Sequence, residues 1–157
     1  LNSSSGRFED VTLSIGGDLL NKAVGRGLAV GDIDNDGDID LIVSNNNGRA
    51  SMLINEGKPK KNWIGMHLEG INCNRQAIGS KVKVITGNIE QVSWVNPSGS
   101  YLSSNDNRLI FGLDDYDIVD TIEIYWPGFD KQSFKSIQPN KYYKIVQGEP
   151  LAVIKYQ

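Results

Sequence analysis

Along most of the chain, apolar residues recur at every second position. In "SKVKVIT" (80–86), for example, Val82 and Val84 alternate with Lys81 and Lys83. A period of two marks a strand with one buried face. Apolar or alternating runs at 28–32, 40–45, 51–55, 63–69, 80–86, 90–96, 108–113, 120–126, 142–147 and 151–156 therefore predict strands. Clusters such as "SNNNG", "TGN", "NPSGS" and "PGFD" bound them. Only "DLLNKAV" (18–24) admits a short helical turn. The expectation is an all-β chain, and strands at roughly ten-residue spacing belong to a sandwich, a barrel or a piece of a propeller.

The pattern breaks at "NEGKPKKN" (55–62), where Gly, Pro and lysines interrupt it. This divides the chain into a first unit, residues 1–58, a second, 61–148, and an extension, 149–157. The first unit is too short to bury a full core alone. It is expected to pack on the second, or on sequence outside this chain. The extension reads as a final strand that pairs with an open sheet edge.

The same alternation assigns faces. Trp94 falls with Val92, and Trp126 with Ile122 and Ile124, so both tryptophans are expected in the core. Tyr125 falls on the opposite, outer face with Thr121 and Glu123. His67 alternates with Ile64, Met66 and Leu68 and is expected on the less buried side of its strand.

Composition changes this picture little. A hydrophobic content of 39% with 22% charged residues describes a globular chain. No apolar run approaches the roughly 20 residues of a membrane span. Residues 1–57 carry four basic and nine acidic side chains, net −5, whereas residues 58–157 carry twelve and ten, net +2. The lysines are scattered, without an aromatic platform motif, so no nucleic-acid partner is expected. One cysteine, Cys73, excludes an internal disulfide, and one histidine, His67, argues against a histidine-built zinc site. Nothing local supports a His67–Cys73 nucleophile pair. No histidine follows Ser98, Ser100, Ser103 and Ser104 to activate one of them, so no catalytic residue is assigned. "GRGLAVG" precedes a strand and not a helix, which argues against a phosphate loop. Asn2 heads a formal glycosylation sequon.

The chemistry concentrates in "DIDNDGDID", where Asp32, Asp34, Asp36, Asp38 and Asp40 occupy alternate positions. Packed this closely in water, each pair of carboxylates costs on the order of 1 kcal/mol. A bound cation removes that cost. Carboxylates at positions 1, 3, 5 and 9 of a loop, a backbone carbonyl from Asp38 at 7, and a turn-forming Gly37 at 6 make an oxygen site for Ca²⁺. An EF-hand requires a bidentate Glu at position 12; Val43 stands there, inside a strand pattern, so the loop is expected between two strands. Ile33 and Ile39 point away from it and are expected to anchor it in apolar packing.

With these residues in view, "GRFEDVT" (6–12) and "GRGLAVGDIDNDGDIDLIVSNNNGRASMLINEG" (25–57) resemble an FG-GAP/VCBS-type repeat, a propeller-blade unit with a D-x-D-x-D-G-x-x-D calcium loop. "NRQAIGSKVKV" (74–84), "PSGSYLSSNDNRLIFGL" (97–113), "VDTIEIYWPG" (119–128) and "IQPNKYYKI" (137–145) are similar to the ASPIC/UnbV domain, with a departure at Gly128 and Phe129. The resemblance implies a partial propeller blade beside a β-sandwich-like domain, at the C-terminal end of a longer secreted, periplasmic or cell-surface protein. Its partners would be the remaining blades and an extracellular protein or glycan. Arg75, Tyr101, Asn105 and Asp106, on loops of the second unit, are candidate ligand contacts. The function expected is a non-catalytic calcium-binding module with a structural, adhesion or recognition role. The alternatives are an enzyme or accessory factor of natural-product or carbohydrate metabolism, and a glycan-binding module.

Overall fold

A computed structural model of the chain describes residues 2–3, 6–57, 60–128 and 131–154. The structure is predominantly β, with 47% strand and 6% helix. Four of the positions discussed above fall outside the described residues: the side chain of Asn2, the centre of the 55–62 boundary (58–59), Phe129, and the end of the terminal strand (155–157).

The elements in chain order are β1 (Asn2–Ser3), β2 (Arg7–Phe8), the helical turn α1 (Thr12–Ile15), a 3-10 turn (Gly17–Leu20), β3 (Gly25–Gly31), β4 (Asp40–Asn45), β5 (Ser51–Leu53), β6 (Asn62–Glu69) and β7 (Lys81–Thr86). There follow β8 (Ile89–Trp94), β9 (Leu109–Asp114), β10 (Val119–Tyr125), β11 (Lys131–Ile137), β12 (Tyr142–Val146) and β13 (Ala152–Ile154). The helical turns start earlier than the 18–24 pattern predicts. Asp10 explains this, because its Oδ1 accepts from the Thr12 N–H at 2.9 Å and opens the turn there. Asn21 is already extended.

Two four-stranded sheets, ordered β11-β10-β7-β8 and β13-β12-β6-β9, share one core. Val82, Val84, Ile122 and Ile124 from the first meet Ile64, Met66, Leu68, Phe111, Leu113, Tyr143 and Ile145 from the second. Each is fully buried or nearly so, which follows from the period-two pattern of the strands that carry them. Trp126 is in this core, His67 is exposed on β6 between buried neighbours, and β13 pairs antiparallel with β12. β12 in turn runs parallel to the central strand β6.

Trp94 departs from the expectation. It is 55% exposed, on the outer face of the edge strand β8. Register decides this: Ser93 pairs with buried Val82, and Gln91 with buried Val84, so the polar residues of β8 face inward. Gln91 is satisfied there by donating through Nε2 to the Gly112 carbonyl at 2.7 Å.

The N-terminal part forms a three-stranded sheet, β3-β4-β5, besides the β1–β2 ribbon. Its free β3 edge is covered by the 97–106 segment of the sandwich. Leu28 N–H donates to Ser100 Oγ (3.2 Å), Val30 N–H to Asn105 Oδ1 (3.1 Å), and Asp106 N–H to the Val30 carbonyl (3.0 Å). Ile42 and its cross-strand neighbour Met52 stay exposed on one face of this sheet.

Candidate metal centre

The aspartate run connects β3 to β4, and Val43 pairs with Leu28 inside that hairpin. No helix flanks the loop, since both neighbours are strands. Gly37 has φ 95°, the left-handed conformation that turns the chain back on itself.

Asp32 and Asp40 are each 1% exposed, an unusual burial for carboxylates. Backbone donors satisfy part of their capacity. Asp32 accepts from the N–H groups of Asp36 (3.1 Å) and Gly37 (2.8 Å), and Asp40 from those of Ile33 (2.7 Å) and Asn55 (2.8 Å). A carboxylate offers about four lone-pair sites, so each keeps acceptor capacity after these bonds. Asp34 joins them, and ligand oxygens of Asp32, Asp34 and Asp40 lie within 4.8 Å of one another. Desolvation, followed by the charges of Asp36 and Asp40, pushes the Asp34 carboxyl above its ordinary range.

The structure does not bring all five aspartates to one point. Asp36 accepts from the Lys60 ammonium at 2.6 Å, and this bond, with the Asp38 N–H behind it, holds its carboxyl below the usual range. Ile33 and Ile39 are both exposed, so neither anchors the loop as the sequence predicts. The loop bears on the sandwich through its glycine instead: a Cβ on Gly37 would stand 2.2 Å from the Trp63 indole.

Three sandwich residues that the aspartate pattern does not reveal complete the arrangement. The Tyr142 hydroxyl donates to Asp32 Oδ2, and burial raises the pKa of that phenol. The Tyr142 ring packs edge-on to Trp63, with centroids 5.0 Å apart, and fills the space that Gly65 leaves open on β6. Arg108 lies over the same ring at 4.8 Å. It donates to the Asp32 carbonyl, to Asn35 Oδ1 (2.6 Å) and to Asp106 Oδ2. Gly65 carries the one sequence signal for this, because a glycine in a buried strand marks a close approach.

The donor set is all oxygen, predominantly anionic and concave, which fits a hard divalent cation and not zinc or copper. Asp32, Asp34 and Asp40 would hold it.

The other candidates are dispersed. Arg75 is an exposed partner of Glu69 at 3.2 Å, Tyr101 is exposed, and Asn105 is spent on the β3 edge. Asp106 alone of the four lines the cleft of about 560 Å³ between the two units, beside His67, Ser104 and Arg108. Its carboxylate is bonded to Arg108, and the Ser104 hydroxyl points to the Asn105 carbonyl.

No curated protein matches the chain. The family described as ASPIC and UnbV matches residues 70–152, from the end of β6 into β13, and so takes in most of the sandwich together with Arg108 and Tyr142. On that match over more than half of its length, the chain belongs to the ASPIC and UnbV family.

Proposed function

We propose that this protein is a non-catalytic, calcium-stabilised β module, with the Asp32–Asp40 loop as its cation site and a structural or recognition role in a larger exported or cell-surface protein. The observation that carries the reading is the convergence of Asp32, Asp34 and Asp40 within 4.8 Å, two of them buried. Three carboxylates held so close repel strongly unless a cation joins them. The D-x-D-x-D-G-x-x-D spacing and the loop's place in a β-hairpin further support an FG-GAP/VCBS-type blade unit. Ile42 and Met52, apolar and exposed on one sheet face, are suited to contact with further blades. An exported location suits a weak site, because extracellular calcium modules bind in the ~10⁻⁴–10⁻³ M range.

The enzymatic alternative would draw on His67, Ser104 and Asp106 in the inter-unit cleft. The commitment of Asp106 to Arg108 argues against it, since that carboxylate is then not free to orient the imidazole.

Thermal melting with and without calcium tests the proposal. At the affinity above, about 10 mM calcium stabilises by ~1.4–2.7 kcal/mol and raises the melting temperature by roughly 3–10 °C. Asp34→Asn abolishes this rise while leaving the calcium-free protein at least as stable, because it removes a carboxylate whose charged form is disfavoured. An equal rise in wild type and variant would place the calcium elsewhere.

A further inference from the structure

We propose that the outer face of the β11-β10-β7-β8 sheet binds a linear acidic glycan, one with carboxylates on alternate sugar rings, along the cross-strand row Trp94–Lys81–Tyr125–Lys131. The row follows from register. Trp94 pairs with Lys81, Lys81 with Tyr125, and Tyr125 with Lys131, so the four side chains stand side by side on one face. Aromatic and ammonium groups alternate along it.

Three observations favour an occupant of this chemistry. First, β8 inverts the usual polarity, turning Gln91 and Ser93 inward and Val92 and Trp94 outward, with Trp94 55% exposed. A strand that breaks its own pattern without benefit to the core points to function. An exposed indole is a flat apolar platform suited to the C–H face of a sugar. Second, charge is concentrated here. The face carries Lys81, Lys83, Lys131 and Lys135 against Glu90 and Glu123, net +2 on a chain of net −3. Lys83 is paired with Glu90 and Lys131 with Glu123, whereas Lys81 stands over the Tyr125 ring at 5.2 Å. An ammonium has three donors, so Lys131 can still reach a ligand carboxylate. Third, strands in a sheet are ~4.8 Å apart, which puts Trp94 and Tyr125 about 10 Å from each other, as it does Lys81 and Lys131. That spacing suits a disaccharide repeat with one carboxylate per unit. A nucleic acid, with a phosphate on every nucleotide, calls for a longer cationic track than this row offers.

The inference does not rest on the aspartate loop. Isothermal titration of the whole chain with a hyaluronan decasaccharide, its carboxyl-reduced form and oligothymidylate tests it. Wild type binds the acidic decasaccharide. Trp94→Ala and, separately, Lys81→Gln weaken that binding about tenfold each. Carboxyl reduction weakens it similarly, Tyr101→Ala has no effect, and all variants keep the wild-type far-ultraviolet spectrum. Lys81→Gln keeps the test open if Trp94→Ala fails to fold, because Lys81 supplies no core contact. No binding at millimolar decasaccharide, binding indifferent to both variants, or equal or tighter binding of oligothymidylate would overturn the proposal.

Discussion

Tyr142 shows how much one residue can connect. Its ring occupies the gap left by Gly65, its edge meets Trp63, its face meets Arg108, and its hydroxyl reaches a buried aspartate. Tyr142→Phe keeps the ring packing and deletes one hydrogen bond to a charged acceptor, which is worth about 1.5–3 kcal/mol. Urea unfolding should show a loss of that size, and a smaller one when calcium takes over part of the Asp32 charge. At Glu69, Lys144 and then Arg75 hold the carboxyl below its ordinary range. An acid whose folded pKa is depressed contributes stability that is present above its unfolded value and lost as pH falls through the folded one. Glu69→Gln should therefore lower stability at neutral pH, flatten the acid side of the profile between those two values and leave stability below the folded value nearly unchanged, as pH-dependent melting will show.

Among the elements, the β3–β4 hairpin and β6 meet through a glycine, Gly37, which the Gly128 turn between β10 and β11 sets in relief. Gly37 needs its absent side chain twice, for φ 95° and for contact with Trp63. Gly128 needs it only for φ 70°, with nothing within 4 Å. Gly37→Ala should cost more than Gly128→Ala, which meets only the ~1 kcal/mol backbone penalty. Paired denaturation curves decide this. Most strands were legible because their inward residues alternate without interruption, as in β7 and β10. β11, "KQSFKSI", was not, because this edge strand turns only Gln132 and Phe134 inward before Ile137 and so shows almost no apolar period. The exposure of Trp94 was illegible for a related reason. Alternation assigns residues to two faces but does not say which face is inside, and the pairing of Ser93 with Val82 decided that.

For the whole molecule, the aspartate loop is also the joint between the two units. Asp32, Asn35 and Gly37 are each in contact with the sandwich, and Asp36 reaches Lys60. If a cation orders this loop, it also fixes how the three-stranded sheet docks. Calcium chelation should then change the emission of Trp63, whose indole lies against Gly37. The change should vanish in Trp63→Phe and in Asp34→Asn, but persist in Trp94→Ala. Steady-state fluorescence separates these cases. The sequence alone determined the β class, the faces of the central strands, the alternate spacing of the five aspartates and the need for glycine at position 37, because these follow from local period and local backbone geometry. It took the tertiary fold to set Asp36 against Lys60, to close Tyr142, Arg108 and Trp63 over the loop, and to line Trp94 up with Lys81, Tyr125 and Lys131 from three other strands. Those contacts join residues tens of positions apart, and strand order and register, which no local pattern encodes, bring them together.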